Sequence, residues 1–418
     1  MFRNLSFPLV QGTFIKITIM KVVLLLSCSL LLLSCKQDFD ENRTVEVLSD
    51  SISDTTTILT QPVNQVVPNV ENIPLIEDQK NYTVTPVVEG LNIPWGMDWL
   101  PNGHMIYTEK EGKMFLYDGK KSTEIQNVPD VYVRGQGGLL DVIVHPDFFA
   151  NNTIFFSYAS SMGTGDGGNT AIASAVLDKN NLTNIKVLYK AEPNTKKGQH
   201  FGSRFAWGTD KKLYFSIGER GERDVNPQDI TRDGGKIYRI NDDGTIPEDN
   251  PFVGIKDAKT AAYTYGNRNP QGLLRHPVTG QIIAHEHGPQ GGDEINIIKA
   301  GVNYGWPVIS YGINYDGTDF TDITNKEGMA QPIYYWVPSI APSGFAVIDN
   351  DSYADWNGNF LVGSLKFQYL EMLYMDGNQV TKREKLVDGI GRLRNVKMGP
   401  DGHIYVGVEG KGIYKISK

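Results

Sequence analysis

The chain has 418 residues, with 44 Gly, 17 Phe, 20 Tyr and 6 Trp, 40% hydrophobic and 21% charged positions. That length exceeds one ordinary core, and the glycine and aromatic content suits many short strands and turns while excluding collagen, coiled coil and wholesale disorder. Forty Lys and Arg against 48 Asp and Glu leave a formal net charge of −8, so there is no molecule-wide footprint for nucleic acid, and an anionic ligand must meet a local basic cluster.

The first element in chain order is the apolar run from Lys21 to Cys35, which holds Val22 to Leu26 and Leu30 to Leu33 and ends Leu32-Leu33-Ser34-Cys35. It resembles a bacterial lipoprotein signal. The expected start is Met20, and residues 1–35 form the signal segment, with Cys35 lipidated as the mature N-terminus. The run is shorter than the roughly 20 residues that a membrane span requires. The lipid is then the only membrane attachment, and the expected location is the cell envelope, on the periplasmic side or the outer surface. Cys28 and Cys35 are the two cysteines, so the rest of the chain has neither a disulfide nor a cysteine metal site. Residues 36–80 carry nine acidic residues, three basic ones and the single aromatic Phe39. With so little apolar surface to bury, they read as a disordered tether.

Beyond Asn81 no segment keeps helical periodicity. A turn of the Pro-Asn/Asp-Gly type followed by an alternating strand recurs instead. Its six copies open at Trp99, His145, Trp207, His276, Asp355 and Met398. Residues 81–418 then divide into units of about 56 residues, slightly above a typical propeller blade of ~40–50. The expected fold is all-β: a six-bladed β-propeller of four-stranded sheets, closed by pairing of Ile404 to Ile416 with Tyr82 to Val88. Propellers carry function in the loops on one face.

Four segments concentrate chemistry that packing alone does not require. Arg134-Gly-Gln-Gly-Gly-Leu-Leu-Asp141 has glycines that admit close backbone approach beside Gln136. Gln199-His200-Phe-Gly-Ser-Arg204 and Gly218-Glu219-Arg-Gly221 are at hairpin spacing, which brings His200 and Glu219 to one end of a sheet. Tyr265-Gly-Asn-Arg-Asn-Pro-Gln-Gly272 leads into His285-Glu-His-Gly-Pro-Gln-Gly-Gly-Asp-Glu294 and Asn303-Tyr-Gly-Trp-Pro307, where turn carbonyls suit Ca²⁺. Lys366, Arg392 and Arg394 form a late basic set, and the two arginines share one strand face. Each segment also has a plain structural reading: a turn, a packed histidine, or a surface ion pair. His285 and His287, alternating on a strand with no cysteine near, make a poor zinc site.

Taken together, Gly135-Gln-Gly-Gly-Leu-Leu, His200-Phe-Gly-Ser-Arg, Asn267-Arg-Asn-Pro-Gln-Gly-Leu, Glu286-His-Gly-Pro-Gln-Gly-Gly-Asp-Glu-Ile-Asn, Asn303-Tyr-Gly-Trp-Pro and Ser364-Leu-Lys resemble the soluble pyrroloquinoline quinone (PQQ)-dependent aldose sugar dehydrogenases, six-bladed propellers related to soluble glucose dehydrogenase. The match runs in order through most of residues 81–418. The resemblance implies oxidation of an aldose at C1 to the lactone, with His200 as general base and hydride transfer to C5 of PQQ. Arg268 and Asn269 would contact the quinone, Gln136 would lie beside cofactor and substrate, and Lys366, Arg392 and Arg394 would hold the carboxylates and carbonyls of PQQ. The carbonyls of Gly288 and Pro289 would bind the Ca²⁺ that also ligates PQQ, and Glu294 with the Tyr304 carbonyl matches a second, structural calcium site.

Elementary chemistry agrees with that set. PQQ is a planar tricarboxylate and calls for a cluster of Lys and Arg. A neutral imidazole is a natural base near pH 7, and Glu219 is placed to fix its tautomer. Where the glucose enzyme carries an acidic residue before its histidine, this chain has Gln199, which leaves the preferred sugar open. The electron acceptor is equally open. Tyr334, Tyr335 and Trp336, with Val337 to Ser343, are expected to offer aromatic surface to a sugar ring. A non-catalytic binding propeller and a calcium-dependent lactonase-type hydrolase are the rival readings.

Overall fold

The computed structural model describes residues 63–418. The expected signal segment, with Met20 and Cys35, and residues 36–62 of the expected tether lie outside the described residues. From residue 63 onward the strands fall into six sheets, five built on four antiparallel strands and one on three. Blade 1 comprises Pro94–Trp99, Met105–Glu109, Lys113–Tyr117 and Ser122–Glu124; blade 2 comprises Leu139–Val144, Thr153–Ser160, Asn169–Asp178 and Asn181–Lys190. Blade 3 has only Phe205–Trp207, Leu213–Ile217 and Lys236–Ile240. Blade 4 comprises Pro270–Arg275, Ile282–Glu286, Asp293–Ile297 and Tyr334–Trp336, and blade 5 comprises Pro342–Val347, Phe360–Ser364, Leu370–Asp376 and Gln379–Leu386. Blade 6 joins Leu393–Met398, Ile404–Val408 and Gly412–Ser417 to Thr83–Glu89, with Val84 opposite Ile416, so first and last strands close the ring.

The first strands of the six blades pack successively on one another around the axis. Alternating apolar residues from adjacent sheets meet between blades. Ile106 and Met114 of blade 1 lie with Val142, Phe156 and Ala173 of blade 2, and Leu361 and Met372 of blade 5 lie with Val396 and Val406 of blade 6. A single twisted sheet leaves both faces wet, and radial stacking removes both from water. All six copies of the repeated turn join the first strand of a blade to its second. Because paired strands are antiparallel, the loops entering each first strand and leaving each second strand gather on the opposite rim, which carries the segments singled out above; Asn303-Tyr-Gly-Trp-Pro307, in the long loop between the third and fourth strands of blade 4, reaches it through Trp306.

Arg204 closes the axis. Its buried guanidinium donates to the carbonyls of Trp95 (3.1 Å), Gln271 (2.8 Å) and Arg394 (2.6 Å) and to Ser343 Oγ (3.2 Å), and it lies 3.5 Å from Asp141. From the blade 3 entrance loop it therefore touches the first strands of all five other blades.

Two expectations are corrected. Blade 3 has three strands, not four, because past Lys236–Ile240 the fourth position is reduced to a single bridge between Tyr238 and Ala262. Residues 63–80, assigned to the tether, lie along blades 4 and 5. Leu75–Ile76 pairs in parallel with Arg383 and Glu384, and the Asn64 carbonyl accepts from the Gln331 amide (2.7 Å). The apolar residues of this stretch supply the reason: Val63, Val70 and Ile73 pack against buried clusters, while the added strand covers an otherwise open sheet edge.

Candidate active site

His200 lies in the loop entering blade 3, in the left-handed conformation (φ 57°) that side chains other than glycine adopt at a cost of roughly 1–2 kcal/mol. Several contacts hold it there. Its backbone N–H donates to Gln136 Oε1 (2.8 Å), and its ring Nδ1 is paired with the carboxylate of Glu219, at the end of the second strand of blade 3. A carboxylate accepts, so Nδ1 is the donor and Nε2 carries the lone pair. Gly218 precedes Glu219, and a Cβ there would lie 2.4 Å from the His200 carbonyl oxygen. Only glycine admits that approach.

Glu219 is 1% exposed, and its second carboxylate oxygen is buried without a partner. Burial and the neighbouring Arg268 hold the His200 imidazole below its ordinary pKa, against the opposing pull of Glu219. The ring is therefore neutral near pH 7.

Arg268, in the loop entering blade 4, donates to the carbonyls of His287 (3.1 Å) and Gly288 (2.9 Å), and its guanidinium lies 5.2 Å from the centre of the Trp306 ring. No carboxylate side chain pairs with its guanidinium among the described residues; Glu286 accepts only its backbone N–H. Asn269 next to it takes the Gly202 amide on Oδ1 (3.1 Å), and its Nδ2 is buried without an acceptor. His200, Glu219, Arg268 and Pro289 line one cleft of about 430 Å³, together with Gln199, Trp306 and Tyr315.

A second cleft of about 220 Å³ holds Gln136, Arg392, Arg394, Lys110, Gln271 and Glu409. Gln136 lines it while bonding the His200 amide, so His200 and the arginines share one rim. Glu409 was not legible as a site residue. It accepts from Arg392 Nε (2.7 Å) and from Arg394 Nε (2.9 Å), so the positive fork closes on an internal carboxylate. The signal for it was register: Leu393 pairs with Val408, which places Glu409 across from Arg392. Arg392 also donates to the Leu365 carbonyl (3.0 Å), which sets Lys366 beside it. Lys366 is exposed, and its Nζ stands 5.1 Å from the Phe367 ring centre with no carboxylate partner among the described residues.

Glu294 and Tyr304 do not line either cleft. Glu294, on the third strand of blade 4, is partly buried, and Tyr304, in the loop between the third and fourth strands, is buried. Burial and the neighbouring Glu286 push the Glu294 carboxyl up to about 8, and the Oδ1 of Asn296, whose amide nitrogen donates to Glu294 (3.1 Å), is buried with no donor. No group of three His, Cys, Asp or Glu side chains that could hold a metal is present among the described residues. His285 and His287 are each taken by a separate carbonyl, those of Gly344 (3.0 Å) and Pro342 (2.7 Å). The expected aromatic surface is corrected as well. Tyr334 and Trp336 are core residues at 2% exposure, and Tyr335 stacks on Tyr311 at 3.7 Å in a separate cleft that does not include His200. Trp306 and Tyr315 are the aromatic residues of the His200 cleft.

Comparison with known proteins follows this geometry. The sequence pattern described as Glucose / Sorbosone dehydrogenase matches residues 91–415. The chain is 36% identical over 324 residues to aldose sugar dehydrogenase YliI of Escherichia coli, covering 76% of this chain and 87% of that one. It is 29% identical over 326 residues to quinoprotein glucose dehydrogenase B of Acinetobacter calcoaceticus, covering 69% and 65%. The solved structure of the PQQ-bound form of aldose sugar dehydrogenase from Streptomyces coelicolor superposes with a TM-score of 0.67 at 27% identity, over 81% of this chain and 99% of that one.

Proposed function

The chain belongs to the glucose/sorbosone dehydrogenase family, and from that membership we propose that it is a PQQ- and calcium-dependent dehydrogenase that oxidises an aldose at C1 to the lactone. The observation that carries this reading is the arrangement at His200. An imidazole kept neutral by burial and by Arg268 has its Nδ1 held by a buried carboxylate, and its other nitrogen has no partner among the described residues.

In this reading Nε2 of His200 takes the proton of the anomeric hydroxyl while the C1 hydride leaves and the C1–O bond becomes a carbonyl. Glu219 keeps the ring in the accepting tautomer and offsets the charge of the imidazolium. Arg268 presents a fixed cation to negative charge developing in the cleft, without reorganisation at the moment of reaction. When bound, PQQ supplies the hydride acceptor and Ca²⁺ a Lewis acid.

The donor set fits these groups. Among the described residues Asn269 Nδ2 is a buried donor with nothing to bond and Arg268 and Lys366 are cations without carboxylates, while Gln136 joins the second cleft to His200. Arg268, Asn269, Gln136, Lys366, Arg392 and Arg394 would hold the quinone, and the carbonyls of Gly288 and Pro289 the calcium beside it. A hard cation at Glu294 and the Tyr304 carbonyl would relieve the repulsion between Glu286 and Glu294 and satisfy the orphan oxygen of Asn296.

Addition of PQQ and Ca²⁺ to the purified protein tests the reading. The expected result is a shifted quinone absorbance together with aldose-dependent dye reduction. An unchanged spectrum at micromolar PQQ would favour a binding module, and lactone hydrolysis with calcium alone a hydrolase.

A further inference from the structure

Arg220 is 1% exposed, yet it pairs with no carboxylate among the described residues. Its guanidinium is spent instead on the backbone that presents His200. Nη1 donates to the Gln199 carbonyl, Nη2 to the carbonyls of Lys197 (2.8 Å) and Gly168 (3.1 Å), and the plane lies over the Phe201 ring at 3.4 Å. The Gln199–His200 peptide is thereby gripped at both ends, its carbonyl by Arg220 and its N–H by Gln136. The far side of the Phe201 ring is closed by Gly137, where a Cβ would come within 2.5 Å. Gly218, Glu219 and Arg220 are consecutive, and each meets a different part of the base: Gly218 its carbonyl, Glu219 its ring and Arg220 the peptide before it.

We propose that Arg220 is a positioning residue for the reaction, holding the 197–201 loop so that His200 keeps its left-handed backbone and its ring stays on Glu219. The inference rests on the reading of His200 as the base. A lysine replaces this residue only in part, because an ammonium is a point donor that neither spans three carbonyls in one plane nor stacks on Phe201.

The charged groups facing the imidazole are Glu219, Arg268 and Arg220 itself. The Lys197–Glu222 pair (2.8 Å) and the Arg223–Asp224 pair (3.0 Å) line the same cleft further out. Arg220 is one of the two cations that lower the imidazole's affinity for a proton, so its removal moves the ring's titration upward.

Arg220→Gln and Arg220→Lys in the full chain test the proposal with two readouts. The first is kcat of the PQQ-loaded protein. It falls about 10–10²-fold in Arg220→Gln, while KM for the sugar and the Kd for PQQ stay within about threefold. The second is the titration of the His200 ring by NMR in the protein without PQQ, its resonance assigned by its loss in His200→Asn; the midpoint rises in Arg220→Gln. If Arg220→Gln does not fold, Arg220→Lys carries the test, with a smaller loss of kcat and a smaller rise. A parental kcat, or an unmoved His200 midpoint, in the folded variant overturns the proposal. An inactive parent with a moved midpoint strikes the proposed function and leaves the hold of Arg220 on His200 standing.

Discussion

Nδ1 of His200 is paired with the buried carboxylate of Glu219, 19 residues further along the chain, and this leaves Nε2 as the nitrogen available to a substrate. Glu219 raises the proton affinity of the ring, while burial and Arg268 lower it more strongly, so the balance falls below the ordinary 6.5. With His200 as the proposed base, the active form is the neutral one. The acid limb of kcat/KM therefore lies below pH 6.5, with activity rising as pH rises through it. Glu219→Gln removes the opposing pull, moves that limb to lower pH, and costs at least about tenfold in kcat by loosening the tautomer. A pH–rate series on both proteins checks the direction.

Lys366 has no carboxylate partner among the described residues, whereas Arg392 and Arg394 share Glu409. Lys366→Ala should weaken PQQ binding about 10–10²-fold, the worth of one hydrogen bond to a charged group, with kcat at saturating PQQ little changed. Glu409→Gln frees both arginines and should not weaken binding. Quinone titrations at fixed ionic strength distinguish the two.

The fold was legible because each of the six repeated turns joins the first and second strands of a blade, so a turn signal beside an alternating strand marked every blade. His200 and Glu219 were legible for the same reason, since hairpin spacing fixes which ends of two strands coincide. Glu409 was not, because its meaning comes from a cross-strand register with Arg392 rather than from any local motif. Tyr334 and Trp336 misled because an aromatic strand does not tell which cleft it borders: both are mostly buried and lie at the cleft of Tyr311 and Tyr335, apart from His200. Residues 63–80 misled because they were averaged with residues 36–62, which hold six of the nine acidic residues, although seven of the 18 are Val, Leu or Ile and supply the docking contacts.

Arg204 and Asp141 are both buried at the axis, 3.5 Å apart. Arg204→Leu leaves the buried Asp141 without its cation and the Gln271 carbonyl without its Arg204 donor, and should destabilise by about 3–5 kcal/mol. Changing both residues to Leu removes the stranded charge and should recover much of the loss. Denaturant midpoints for the single and double variants give the coupling directly.

Calcium should raise the thermal midpoint of the protein even without PQQ, through the buried Glu286 and its partly buried neighbour Glu294. Glu294→Gln removes the repulsion and the anionic ligand together, so it should abolish most of the calcium-dependent rise while leaving the calcium-free midpoint equal or higher. Melting curves in chelator and in millimolar Ca²⁺ measure both effects.

The central claim is that His200 accepts the proton as C1 is oxidised. The most direct measurement is single-turnover reduction of the PQQ-loaded protein by an aldose, followed by quinone absorbance, in the parent and in His200→Asn. The predicted result is equal quinone loading and a reduction rate lower by about 10²–10⁴ in the variant. Reduction at the parental rate, with PQQ bound, would contradict it.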